Sequence, residues 1–140
     1  MDQIRLFPIK HSFQEIISLP ASKSESNRSL IQNALAGGEL TNLSNLAEAR
    51  DTQTMIRLLS QKDQEVADVL DAGTTMRFLT AYYAVTGATK KMTGTPRMCE
   101  RPIGILVDAL RALGADISYL NQEGYPPMQL NGFTFKGNRE

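Results

Sequence analysis

Three short segments of this sequence join a helix-start signal to basic and hydroxyl side chains, a combination suited to holding phosphate or carboxylate groups. The first is Pro20-Ala21-Ser22-Lys23-Ser24-Glu25-Ser26-Asn27-Arg28. The first turn of a helix leaves backbone N–H groups unpaired and carries partial positive charge, so it favours anions. Lys23 adds a mobile ammonium and Ser24 a hydroxyl. Arg28, four residues beyond Ser24, shares its helical face and can grip an anion with two parallel hydrogen bonds. The same residues would also make an ordinary helix cap with solvated charges, and residue types alone do not separate the two readings.

The second segment is Asp71-Ala72-Gly73-Thr74-Thr75-Met76-Arg77. Gly73 lets the chain bend sharply and lets a ligand approach the backbone, the threonines offer hydroxyls, and Arg77 repeats the part given to Arg28. Taken alone, a tight turn into a helix with a surface arginine explains it better. The phosphate-loop pattern G-x-x-x-x-G-K-[ST] is absent, so nucleotide hydrolysis has no support. The third segment, Thr95-Pro96-Arg97-Met98-Cys99-Glu100-Arg101-Pro102, sets two arginines beside another helix start. Arg97 is the ligand candidate here and Arg101 is read as structural, while an Arg–Glu ion pair stiffening a loop is the bland alternative. Each site is weak by itself. Together they predict a common pocket for substrates with several negative charges, with Lys23, Arg28 and Arg97 facing inward.

The elements that must position these residues are legible from periodicity. Residues 14–19 read as a strand ended by Pro20. A helix is expected over 26–36, with Leu30, Ile31, Ala34 and Leu35 at helical spacing and Gly37-Gly38 as the stop. Residues 41–46 alternate like a strand, and Asp51 can cap a helix carrying Met55, Ile56 and Leu59. A short VADVL segment, a helix over 74–86 and an exposed strand over 88–94 follow. After Pro102, Ile103, Leu106, Val107, Leu110 and Leu113 form one stripe and Gly114 a stop. Residues 117–120 and 128–135 read as strands around a turn at 124–127. Strands alternating with helices predict a mixed α/β (α+β) fold with helices packed on mixed sheets.

Composition narrows the function further. The 140 residues are 41% hydrophobic and 21% charged, ordinary for one cytoplasmic domain with a real core. Fifteen basic residues cancel fifteen acidic ones, and no basic stripe marks a nucleic-acid footprint. No apolar run is long enough for a membrane span, nor does the start resemble a signal peptide. One cysteine and one histidine, Cys99 and His11, leave no disulfide and little scope for a metal site or a Ser-His-Asp triad. Cys99 lacks an identifiable partner base and reads as an inert thiol, and the Tyr82-Tyr83 pair reads as core. The closing FTFKGNRE follows a strand with no helix after it, which reads as a fragment, though a polar tail would look similar.

In order and content these segments resemble the EPSP synthase family, the 3-phosphoshikimate 1-carboxyvinyltransferases. The carrying motifs are LPASKSESNRSL at 19–30, DAGTTMRFLTA at 71–81 and GTPRMCERPIGILVDALRALGA at 94–115, with YLNQEGYPP at 119–127 in agreement. The resemblance implies transfer of the enolpyruvyl group of phosphoenolpyruvate to the 5-hydroxyl of shikimate 3-phosphate. Phosphate is released through addition and elimination, without a metal or other cofactor. It places Lys23 against both substrates, Ser24 and Arg28 against shikimate 3-phosphate, and Gly73, Arg77 and Arg97 around phosphoenolpyruvate. It also implies about two repeated strand–helix units over 20–140, and an N-terminal segment, 1–19, that belongs to an opposite domain.

Three departures accompany the resemblance. The link from the 51–59 helix to Asp71 is short, so a hairpin of some members is missing. Asp71 replaces an asparagine common in the family. The later Ser-Ser-Gln motif, the acid/base carboxylates and further basic ligands have no counterpart, so no catalytic residue is assigned and the chain alone is expected to be inactive. A complete member needs no protein partner, whereas this chain is expected to expose apolar surface and can self-associate. Two rivals stand beside this reading: a UDP-sugar enolpyruvyl transferase, which would need a reactive cysteine on a mobile loop, and a noncatalytic anion-binding module.

Overall fold

Local signals account for most element boundaries. In the computed structural model, which describes residues 3–8, 12, 14 and 16–137, helix α1 spans Lys23–Leu35, and Ser22 caps it by accepting the Glu25 N–H at 3.4 Å. Helix α2 spans Arg50–Ser60, α3 Gly73–Val85, α4 Pro96–Cys99 and α5 Gly104–Leu113. The single turn α4 was not expected. It forms because Pro96 presets its first residue and the Thr95 hydroxyl accepts the Met98 N–H at 3.3 Å. Gly114 ends α5 in the left-handed conformation, φ +115°, as its stop signal predicts.

Four strands, β1 (Val66–Asp68), β2 (Thr89–Thr93), β3 (Ala115–Tyr119) and β4 (Met128–Phe133), form one sheet in the order β1-β2-β4-β3. β1 runs parallel to β2, while β2 and β3 are both antiparallel to β4. Met92, Ile117, Met128 and Leu130 point to one face and are buried, whereas Thr89, Lys91, Asp116 and Ser118 on the other are exposed. A sheet wet on one side and covered by helices on the other is the mixed architecture expected from the sequence. α3 is the central helix, lying on the sheet beside α5 and packed against α1 and α2, with Met76 and Leu79 fully buried. Lys90 breaks the apolar pattern of that inner face. Its ammonium donates to the carbonyls of Lys62 and Gln64 and lies over the Tyr83 ring. Burial, with a smaller contribution from Tyr82, pushes the Tyr83 hydroxyl up to about 12.

Two expected strands are absent. Among the described residues of 14–19 there is no strand, and Ile16, Ile17 and Leu19 are exposed. A strand exists only with a partner, and none of the described backbone pairs with this segment. Over 41–46 the chain forms a 3₁₀ turn, Leu40–Asn42, and then an unpaired loop. Leu40, Leu43 and Leu46 are partly buried against the core at intervals of three, which is not the two-residue period of a strand. α1 begins three residues before the expected Ser26, which brings Lys23 and Ser24 into its first turn. Asp51 does not cap α2: Ala49 holds that position and Asp51 lies inside the first turn. His11 lies outside the described residues. None of the described helices is long and apolar enough to cross a membrane.

Candidate anion-binding site

Helices α1, α2 and α3 start at the same place because buried polar bonds join them. Ser26 accepts the Ala47 N–H at 2.9 Å, which pins the approach to α2. Asn27, fully buried on α1, accepts the Thr52 hydroxyl of α2 at 2.8 Å. Thr75 of α3, also fully buried, donates its hydroxyl to the Asp51 carbonyl at 2.7 Å. The Asp51 carboxylate then accepts the Thr74 N–H at 3.3 Å, so α2 supplies the cap that Ala72 cannot give α3. Lys23 closes the group, its ammonium 4.0 Å from the same carboxylate oxygen. Asn27 Nδ2 finds no protein acceptor among the described residues.

Thr52→Val keeps the shape of this seam and removes a donor, leaving Asn27 Oδ1 buried and unpaired. The expected cost is about 1–3 kcal/mol of unfolding free energy. Thr52→Ser, which keeps the hydroxyl, should recover most of it in urea unfolding; equal midpoints for the valine variant and the wild type would refute the role.

Around the start of α3 the cations gather. A Cβ added to Gly73 would lie 2.7 Å from Cζ of Arg101, so only glycine leaves room for that guanidinium across the first turn. Arg97, Arg101, Met98 and Asp71 line a cleft of about 300 Å³. Arg77 does not point freely into solvent. It donates to the Gly73 carbonyl at 3.1 Å and to the Pro102 carbonyl at 3.0 Å, tying α3 to the segment that leads into α5. Asp71, the carboxylate of this cleft, is paired with Arg50 at 2.8 Å. Cys99 is half-buried and its thiol donates to the Gly94 carbonyl at 3.7 Å.

The single pocket expected from the sequence is therefore divided between two surfaces with no lining residue in common. Lys23 reaches the start of α3, and Arg97 lines the cleft beside it. Arg28 lies elsewhere, lining an apolar groove of about 260 Å³ with Ile31, Leu35, Phe78 and Tyr82. Ser24 is exposed on the first turn of α1, one turn before Arg28. The physical reason is the helical repeat: Arg28, five residues after Lys23, stands about 140° further round α1 and about 7 Å further along it, beside the flank of α3. Arg101, read from the sequence as structural, shares the cleft, and Arg50 and Asp51 were missed as contributors. Ala72, a capping position with no side-chain acceptor, and a glycine opening α3 were the available signals.

The fold and this site define an α/β domain whose cationic side chains collect at helix starts. A family profile described as EPSP synthase (3-phosphoshikimate 1-carboxyvinyltransferase) matches residues 9–66 and 60–139, and the chain belongs to that family. A 3-phosphoshikimate 1-carboxyvinyltransferase of Bacteroides fragilis (strain YCH46) is 53% identical over 129 residues, covering 87% of this chain and 31% of the relative. A protein of the same name from Cellvibrio japonicus is 43% identical, covering 91% and 35%. The solved structure of an EPSP synthase from Acinetobacter baumannii matches with a TM-score of 0.73 at 19% identity, over 89% of this chain and 34% of that one. At that identity the structure speaks for the fold. The chain spans about a third of the length of the curated relatives it matches.

Proposed function

We propose that this chain carries the N-terminal share of the substrate site of a 3-phosphoshikimate 1-carboxyvinyltransferase. The observation that carries the proposal is the gathering of Lys23, Gly73, Arg97 and Arg101 around the start of α3. In this reading the cleft between Arg97 and Arg101 takes the phosphate of phosphoenolpyruvate, and Gly73 lets it approach the backbone. Arg77 serves the same side by fixing Gly73 and Pro102, with three of its five N–H groups left over. Lys23 lies between the two substrates, and Ser24 and Arg28 hold shikimate 3-phosphate along α1. Positive groups fixed in advance would hold two polyanions side by side and stabilise the charge that moves during enolpyruvyl transfer.

Among the described residues the cleft is lined by two arginines and one ion-paired carboxylate, and the other carboxylate at the start of α3, Asp51, is engaged by the Thr74 N–H and by Lys23. The 140-residue chain assayed by itself is therefore expected to release no phosphate from the two substrates. Residues 1–19 are assigned to packing outside the 20–140 body, a reading supported by the exposure of Ile4, Leu6, Phe7, Ile16, Ile17 and Leu19. Self-association through such surface and placement in the cytoplasm belong to the same proposal, the latter resting on ordinary composition. The UDP-sugar reading finds no support at Cys99, whose thiol faces a backbone carbonyl.

Calorimetry with shikimate 3-phosphate tests the substrate assignment. Arg28→Ala should weaken binding roughly tenfold, the loss expected when a charge-assisted bidentate contact is removed. Inorganic phosphate binding as tightly as shikimate 3-phosphate would instead make the chain a noncatalytic anion module.

A further inference from the structure

We propose that Arg50 sets the charge of the anion cleft by neutralising Asp71 from outside it, an inference that rests on the anion-binding reading above. Asp71 shares the cleft with Arg97 and Arg101. An unopposed carboxylate there would cancel one guanidinium and repel an entering phosphate. Arg50, the first residue of α2, is not part of the cleft lining, yet its Nη1 lies 2.8 Å from the Asp71 carboxylate. With Arg50 in place the three arginines and the one aspartate leave two net positive charges, and without it one. The neighbouring Lys23 and Asp51, 4.0 Å apart, are neutral as a unit and leave that balance unchanged.

Stability does not explain the pair. The Arg50 side chain is 72% exposed and that of Asp71 48%, and ion pairs so open to water contribute little to folding. An effect on an incoming anion is different, because every charge lining or bordering a small cleft acts on the same ligand. Arg50 is thus a positioning residue: it holds and neutralises the Asp71 carboxylate and so restores the field of Arg97 and Arg101.

The test is a double-mutant cycle on the 140-residue chain, titrated with phosphoenolpyruvate at low ionic strength. Arg50→Ala should weaken binding roughly three- to tenfold, the size expected for one unit charge a few ångströms away through a wet surface. Asp71→Asn, which leaves Arg50, Arg97 and Arg101 without an opposing carboxylate, should tighten it. The double variant should return to within about twofold of the wild type, because its net charge is the same. Raising the salt to roughly 0.5 M should shrink every difference, and the urea midpoints of all four proteins should agree closely. A purely structural arginine would not be rescued by Asp71→Asn. Equal binding by Arg50→Ala and the wild type, or a double variant as weak as Arg50→Ala, overturns the proposal while the site reading stands. A wild-type chain that binds no phosphoenolpyruvate overturns both.

Discussion

Gly114→Ala should lower the unfolding free energy by about 3–5 kcal/mol, a large part of what a domain of this size has. Gly114 sits at φ +115°, where a side chain is strained. The greater part of the cost is steric. The new Cβ would lie 2.7 Å from the carbonyl carbon of Thr134 and closer still to its oxygen. That strand-end backbone cannot recede freely, because Thr134 donates to the Gly114 carbonyl at 2.9 Å and Lys136 to the Leu113 carbonyl at 3.1 Å. Moving it breaks those two bonds and opens the junction between α5 and the end of β4. Gly124 provides the control: at φ +85° it has open space around its Cβ position, so Gly124→Ala should cost only about 1 kcal/mol of backbone strain. Urea unfolding followed by circular dichroism measures both. Similar midpoints for the two variants would show that the contact with Thr134 is not a constraint.

The largest functional effect should come from the α3 cleft. Arg97→Ala removes a guanidinium that lines the cleft and can bind a phosphate through two parallel bonds, and it should weaken phosphoenolpyruvate binding roughly ten- to hundredfold. Gly73→Ala should have a similar consequence by another route. Its Cβ takes the space of the Arg101 guanidinium, the movable end of a flexible side chain, so the cation shifts and the backbone does not. Alanine also forms helix better than glycine, so the fold should be unharmed or slightly steadier. Weaker binding with an unchanged or raised melting temperature is the expected signature. Undiminished binding by Arg97→Ala would remove the cleft from the substrate site, whatever happens to Arg28.

The helices and most of the sheet were legible from local pattern. The stripe Ile103, Leu106, Val107, Leu110 and Leu113, stopped by Gly114, yields α5 with its predicted end. Strands β2, β3 and β4 came out within two residues of where alternation put them. The misses at 14–19 and 41–46 share one cause. Alternation reports which side chains are apolar, but a strand needs a backbone partner, and pattern cannot show whether one is present. Of the candidate ligands, Lys23, Gly73 and Arg97 came together at the start of α3, while Arg28 was carried onto the flank of that helix and Arg77 bound to backbone carbonyls.

By itself the sequence determined that the four longer helices exist and where they stop, which apolar positions line the core, and which family the segments resemble. These follow from interactions within a few residues: caps, turns, and hydrogen bonds from each residue to the fourth before it. Only the tertiary structure decided that Asp51 caps α3, that Arg101 lies across Gly73 and that Arg50 holds Asp71. Those partners stand 23, 28 and 21 positions apart along the chain, and only the packing of helices against one sheet brings them within reach.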